Sequence, residues 1–553
     1  MNTSPAIKTN IELTKRRTSV IRRFAIRRVA GTATIFGLLA AIESIAQSIG
    51  IILAYPDPAA RAKVIYGLAS NPALGLFYGN MHTDIISPGG YMAYRIMPIM
   101  ILVLSIWAML FITKMLRGQE ENGNWELLLS GRSSARNSTT DIIMGSGVGL
   151  VIIFTLTALA LIIGGHSSRF AMPIGGSLIY SLLLATGALI GVAVGALTSQ
   201  LASTRRKAVI YGLTIIIFMF AIRSIGNAVA GLNWIKNLSL FGWLDKVNPY
   251  NNAPVYGWLW LTLAVTILVI GLVIWLSGRR DMGSSLIADQ DTSKPKLSLL
   301  NSQLGFSFKQ LRNIFIGWLI ASLSFVAVIV SIDKTVAKTI TGSGGLTKTF
   351  SNLTGNPYAR IEVAYLSAAG YFIVITLIFM IAASLGHIRN EESSGRIDNF
   401  IAGGISRLKW LTSRLGVIMI ATGSIYLLAS LIDYFLAKAQ GIDVGFNDLI
   451  FGGINILGPV AFILGLGLLI YGILPRHLNT IIYAVVGWSF TIDIIAAALK
   501  LNSYFADSSI FKHMALVPAA TPDWHTFEVL IGLALLMSVT GIWLFNRRDL
   551  VLE

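Results

Sequence analysis

The sequence predicts an all-α polytopic membrane protein of twelve transmembrane helices, arranged as two homologous six-helix halves with amphipathic interfacial helices. Three observations predict it. Apolar residues make up 54% of the chain, charged residues only 12%, and the mean hydropathy is +0.71, which lies outside the range of soluble globular domains. Apolar runs recur near the length of about twenty residues that a bilayer-spanning helix needs. Two motifs each occur twice. Arg117-Gly118-Gln119-Glu120-Glu121-Asn122-Gly123-Asn124-Trp125-Glu126 returns, degraded, as Arg389-Asn390-Glu391-Glu392-Ser393-Ser394-Gly395-Arg396-Ile397-Asp398, a shift of 272 that superposes Arg117 on Arg389, Glu120 on Glu392, Gly123 on Gly395 and Glu126 on Asp398. Trp275-Leu276-Ser277-Gly278-Arg279-Arg280-Asp281 returns as Trp543-Leu544-Phe545-Asn546-Arg547-Arg548-Asp549 at a shift of 268. Near-equal shifts for independent motifs mark a duplicated half.

Taken in order, residues 1–28 form a basic amphipathic entry helix: Ile21, Phe24, Ala25 and Val29 recur at helical spacing, with Arg16, Arg23 and Arg27 on another side, as in a helix lying in the membrane interface. The following run, about 29–54, is long enough to span, so the stretch is a retained first helix rather than a cleaved signal. Further spans are predicted at 91–113, 141–164, 172–199, 208–232 and 255–277, completing a first half over 29–283. Residues 284–303 read as a flexible linker, with Gly283-Ser284-Ser285 and Lys294-Pro295-Lys296 as turn chemistry. The second half, 304–553, opens on another amphipathic entry (Phe306, Phe308, Leu311) and contributes spans at 314–333, 363–386, 416–437, 449–474, 480–500 and 526–545. Two aromatic and proline-rich segments, Phe241 to Tyr250 and Phe511 to Trp524, suit short interfacial helices at the opposite membrane face.

The net charge of +17 does not mark a nucleic-acid binder, because the basic residues flank apolar runs instead of covering a polar domain. With the N-terminus inside, the predicted cytoplasmic segments hold 29 of the 43 Lys and Arg, the outer segments 13 with Arg95 and Lys500 counted at the outer edges of their spans, and Arg223 lies within a span. The positive-inside rule therefore places both termini and both acidic motifs in the cytoplasm. No cysteine is present, which excludes disulfides and thiolate metal sites. No histidine pair has metal-ligand spacing. Gly342 to Thr349 nearly spells a phosphate-binding loop, but Thr347 replaces its second glycine and no βαβ unit surrounds it. Gly145, Gly147 and Gly149 fall inside a span, where small residues permit close helix packing.

Charges beside a membrane helix usually only solvate its end, and Arg117 can pair along one turn with Glu120 or Glu121. Two copies with the same order, side and position argue for more: a short carboxylate-bearing helix, with a glycine that lets another backbone come close, acting as a docking knob for a cytoplasmic partner. At this point the chain resembles the permeases of type-2 ABC exporters, in particular the fused two-half permeases of the polyketide-antibiotic and multidrug exporter group. The resemblance covers nearly the whole chain. It rests on Glu120 to Leu128, its copy at Glu391 to Phe400, the segment from Leu240-Phe241-Gly242-Trp243 to Pro249-Tyr250, and the two Arg-Arg-Asp half-endings. The second copy departs where Asp398-Asn399-Phe400 stands for Glu126-Leu127-Leu128.

The resemblance implies a transport subunit rather than an enzyme, with no cofactor in this chain. Two copies of a separate cytoplasmic ATP-binding subunit, holding ATP and Mg, are expected to seat on the coupling residues Arg117, Glu120, Glu121, Gly123 and Glu126 in one half and Arg389, Glu391, Glu392, Gly395 and Asp398 in the other. The expected cargo is a drug-like hydrophobic or amphiphilic compound such as an antibiotic, moving along a path between the halves lined by spans 2, 5, 8 and 11 in the cell membrane.

A charge at mid-span costs about 2.5–3.5 kcal/mol on insertion scales and needs a partner or a wet cavity. Glu43 is open to three readings: binding a cationic compound, carrying a proton, or pairing with Gln47. Asp433 is expected to reach the outer interface. Aligning Tyr211 with Tyr483 puts Arg223 two residues from the register of Asp493, which leaves two readings open: the two pair across the closed path, or each pairs within its own half or reaches the outer headgroups. The rival reading is a proton-coupled twelve-span antiporter. The segment after span 2 lacks that superfamily's Gly-x-x-x-Asp-Arg/Lys-x-Gly-Arg pattern.

Overall fold

A computed structural model describes residues 5–69, 72–79, 83–125, 134–165, 172–229, 231–251, 253–281, 283–287, 298–331, 361–498 and 503–550. Glu126 and the phosphate-loop-like stretch 342–349 lie outside them. The protein is an all-α, multi-pass membrane protein: among the described residues eleven helices are long and apolar enough to cross a membrane. A further helix, Leu478–Ala498, occupies the predicted run at 480–500. The chain divides into two compact units, Met1–Ser293 and Lys294–Glu553, each with its own apolar core.

In the first unit the long helices are α1 (Pro5–Ala54), α2 (Met97–Met115), α3 (Ala135–Gly165), α4 (Ile174–Leu201), α5 (Arg205–Ala228) and α6 (Tyr256–Ser277). In the second they are α7 (Gln303–Ser331), α8 (Ile361–Ser393), α9 (Arg407–Ala439), α10 (Leu457–Ile473), α11 (Leu478–Ala498) and α12 (Trp524–Arg547). The same pairings recur inside each: α1 with α3, α2 with α4 and α5, and α4 with α6; then α7 with α9, α8 with α10 and α11, and α10 with α12.

Glycine faces set these pairings. Gly187, Gly191 and Gly195 stand four residues apart on α4 and meet α2. A Cβ at Gly191 would lie 2.0 Å from the Ser105 carbonyl oxygen, and one at Gly195 2.8 Å from that of Met109. Ser105 Oγ donates to the Gly187 carbonyl at 2.6 Å, so close approach is stabilised by a polar contact as well as by dispersion. In the second unit Gly465 meets Ala534 and Gly472 meets Gly541 across α10 and α12.

The first entry helix differs from expectation. α1 is one unbroken helix of 50 residues, roughly 75 Å long at 1.5 Å per residue, because no proline interrupts it between Pro5 and Pro56. A separate helix in the interface plane is therefore not formed. The apolar stripe Ile21, Ala25 and Val29 is buried and packs on α3, where Gly145 and Gly149 admit it: a Cβ there would stand 2.6 Å from the Ala25 Cβ and 2.7 Å from Val29 Cγ2. Gly147 faces open space. Arg22 Nη2 closes the contact on the buried Asp141 carboxylate at 2.7 Å. The second entry is likewise the first turns of the single helix α7. The linker also begins tethered, since the Leu286 and Ile287 amides donate to the Gln200 and Leu201 carbonyls at the end of α4.

Candidate functional site

The two acidic segments are built differently. In the first unit α2 ends at Met115, and Leu116 leaves helical geometry (φ −92°, ψ −83°) before a five-residue helix, Arg117–Glu121. In the second unit α8 runs straight through Ser393, so Glu391 and Glu392 ride on its last turn and not on a separate short helix. Both segments then turn at a left-handed glycine, Gly123 (φ +73°) and Gly395 (φ +69°). A Cβ at Gly123 would meet nothing within 4 Å. That glycine serves the turn, and the space beside it is open. Two residues on, Trp125 and Ile397 are buried and pin the chain again.

The glutamates that define the motif face inward. One Arg280 nitrogen, Nη2, bridges both Glu120 oxygens at 2.9 and 2.7 Å. The Gly283 amide donates to Oε1 at 2.8 Å, and Arg117 Nη1 stands 3.0 Å from Oε2. Arg117 is itself buried and donates to the carbonyls of Ser203, Gly283 and Ser284. In the second unit Arg548 forms a two-pronged pair with Glu392, Nη1 to Oε1 at 2.6 Å and Nη2 to Oε2 at 2.7 Å. Tyr471 adds its hydroxyl to Oε2 at 2.5 Å. Glu392 is 1% exposed. Its neighbour Glu391, equally buried, is held by Arg414 through Nε at 2.8 Å and Nη2 at 2.7 Å. His387 lies 3.5 Å from the other Glu391 oxygen, too far for a hydrogen bond. Arg414 stacks on Trp410 and reaches Gln310 Oε1.

The exposed part of each motif is the turn. Glu121, Asn122 and Asn124 face outward in the first unit, and Ser394, Arg396, Asp398 and Asn399 in the second. Glu121 accepts the Arg205 amide at 2.9 Å, sitting at the positive N-terminus of α5 behind the Thr204 cap. Arg389 is half-buried and interacts within the fold. Sequence reasoning missed Arg280, Arg548, Arg414 and Tyr471. The signal for the first two was present, since each is the second arginine of a duplicated half-ending.

A family described as multidrug efflux system permease Rv1217c, C-terminal domain, matches residues 62–275 and 300–546. The chain belongs to this permease family. Multidrug efflux system permease protein Rv1217c of Mycobacterium tuberculosis is 25% identical over 515 residues, covering 90% of this chain and 88% of that protein. Both acidic segments fall inside the family's matched stretches, whereas Arg280 and Arg548 lie just beyond their ends.

Glu43, Arg223 and Asp493 each have a partner close by in this family member. Gln47 Nε2 donates to Glu43 Oε1 at 2.9 Å, the third of the readings open for Glu43. Arg223, 1% exposed, pairs with Asp245 at 2.5 Å and donates to the Phe77 carbonyl at 2.8 Å, while Asn227 adds a bond to the same carboxylate. Asp493 accepts the Tyr371 hydroxyl at 2.8 Å. Each therefore has a partner within its own unit. Asp433 is buried. Tyr78, Tyr94, Asp245, Asn248 and Tyr250 line a recess of about 30 Å³. That is room for water, far below the ~300 Å³ of a drug-sized site. Nearby, burial pushes the Lys236 ammonium below its usual range. Among the described residues no group of three or more His, Asp or Glu could hold a metal ion.

Proposed function

We propose that the chain is the membrane-spanning permease subunit of an ATP-driven exporter of hydrophobic or amphiphilic compounds, working with two copies of a separate cytoplasmic ATP-binding subunit. One observation carries the reading: in each unit an exposed glycine turn is held on a clamped, buried base at the end of the second long helix. A rigid base under a small protruding turn is the geometry needed to transmit force from a docked protein, because a mobile loop would absorb the displacement instead. The named activity of the Mycobacterium tuberculosis relative supports efflux, and the sequence resemblance supports the ATP-binding partner, which would hold ATP and Mg. On this reading both termini lie in the cytoplasm of a bacterial plasma membrane, as the charge asymmetry favours. Alternating access follows if ATP binds the partner more tightly in one permease state than in the other.

The experiment separates this from the proton-coupled alternative. In cells carrying permease and partner, efflux is expected to stop when the partner's ATPase is inactivated. It is expected to continue when the proton gradient is collapsed at constant ATP. The reverse pattern refutes the proposal and selects the antiporter.

A further inference from the structure

We propose that Arg280 and Arg548 are positioning residues, each tying the coupling segment of its own unit to the end of that unit's last long helix, so that Glu120 and Glu392 act inward on these arginines and not on the partner protein. The proposal rests on the coupling reading above and says how the segment is held. Three independent features carry it.

The first is saturation. A carboxylate has about four lone-pair sites. Glu120 spends its sites on Arg280, Arg117 and the Gly283 amide, and Glu392 on both prongs of Arg548 and on Tyr471. Glu120 thus fills about four sites within its own unit, and Glu392, with three filled, is 1% exposed and turned away from a docked subunit.

The second is duplication at the level of contact. The partners are 160 residues apart in one unit and 156 in the other, yet the same carboxylate meets the same arginine of the half-ending both times. The local chemistry differs, one nitrogen bridging two oxygens against a planar fork, so what recurs is the tie itself.

The third is a division of labour inside each Arg-Arg doublet. The first arginine stacks on a tryptophan four residues earlier, Arg279 over Trp275 at 4.0 Å and Arg547 over Trp543 at 4.2 Å. Both tryptophans are exposed, as suits the membrane interface. The second arginine turns the other way, into the acid. The half-ending thus fixes depth with one cation and grips the coupling segment with the next. Arg407 reinforces the second grip by donating to the Arg548 carbonyl at 2.8 Å. The consequence is mechanical: a push on the turn at Gly123 or Gly395 reaches the last long helix of its unit as well as the second.

The absence of native cysteine makes the test direct. Spin labels at Asn122→Cys with Asp281→Cys, and at Ser394→Cys with Asp549→Cys, report the spacing of segment and half-ending in the full-length purified permease without any partner. Arg280→Gln and Arg548→Gln are expected to lengthen and broaden the corresponding distance and to lower drug-stimulated ATP hydrolysis once the ATP-binding subunit is added. The exchanged pair Glu392→Arg with Arg548→Glu, where the other partner of the acid is the Tyr471 hydroxyl and can accept from an arginine, is expected to restore both readouts. Unchanged label distances in the glutamine variants overturn the proposal and leave the coupling reading intact. An exchanged pair that restores distance but not hydrolysis also overturns it, by showing that Glu392 contacts the partner. Distances that respond as expected while hydrolysis ignores these variants, and also Gly123→Val and Gly395→Val, overturn the coupling reading instead.

Discussion

Glu391→Gln is the perturbation that most sharply tests whether the acidic motif is an interior device. Glu391 and Arg414 are each 1% exposed and are joined by two contacts under 3 Å. The glutamine keeps the shape and loses the charge, leaving the Arg414 guanidinium buried against Trp410 without its counter-ion. Breaking a buried pair from one side costs about 3–5 kcal/mol. Each kcal/mol lowers the melting temperature by about 2–4 °C in a domain of 150–250 residues, close to the size of the unit Lys294–Glu553. The expected fall is therefore roughly 6–20 °C. Removing both charges, Glu391→Gln with Arg414→Met, abolishes the unpaired cation and is expected to recover most of the loss, since apolar replacement of a whole buried pair is often neutral. Glu121→Gln, by contrast, alters an exposed side chain that accepts the Arg205 amide. It should stay within about 1 kcal/mol of wild type. Thermal unfolding of detergent-purified protein followed by tryptophan fluorescence reads all four chains. If Glu391→Gln melts with the wild type, or if the double variant is worse than the single, the buried-pair account is wrong.

Three further outcomes follow from the same geometry. Gly191→Val should prevent close packing of α2 on α4, because the clash is with the Ser105 backbone, which no rotamer can relieve. Overpacking of about 1–3 kcal/mol would be seen as a lowered melting temperature, and an unchanged one refutes the contact. Gly123→Val should cost about 1–2 kcal/mol through its positive φ, and Gly123→Asn less, since Asn tolerates that region; equal melting temperatures for the two contradict the turn. Asp523 caps α12 through the Thr526 amide and hydroxyl, and these bonds hold its carboxyl below the usual range. A depressed folded value means the stabilisation is complete above the unfolded value of about 3.9 and lost as pH falls through the folded one. Asp523→Ala should thus lower the melting temperature at neutral pH and lose that difference under strong acid.

How much of this was legible depended on distance along the chain. The spans were legible because a helix in hydrocarbon must satisfy its own backbone and present apolar side chains throughout. That requirement is local, so twenty residues suffice to see it. Gly145 and Gly149 were legible for the same reason. The entry helix misled because Ile21, Ala25 and Val29 carry one apolar stripe whether they face lipid or α3, and hydropathy does not distinguish the two. The intramembrane charges misled in a related way. Arg223 needed an anion, and register supplied Asp493. The anion that serves it, Asp245, lies only 22 residues on, in a segment read as an aromatic cap.

The site shows most clearly what sequence patterns conceal. Glu120 and Glu121 are adjacent and chemically identical, yet one is clamped and the other exposed. Successive residues on a helix point about 100° apart, so only one of two adjacent acids can face the half-ending. In the second unit α8 does not break where α2 breaks at Leu116. Its last turn presents Glu391 to Arg414 on α9 and Glu392 to Arg548 beyond α12, and both acids are buried. The position aligned with Glu121 is then Ser393, which needs no counter-ion. The exposed acid of the second motif is Asp398, beyond the glycine. A duplicated string of acids therefore encodes two unequal surfaces over two equivalent interior ties. On the coupling proposal, a partner seated on both turns would meet Glu121 before the glycine in one unit and Ser393 at the aligned position in the other. The ties underneath, reached from opposite ends of each unit, are what the duplication preserves.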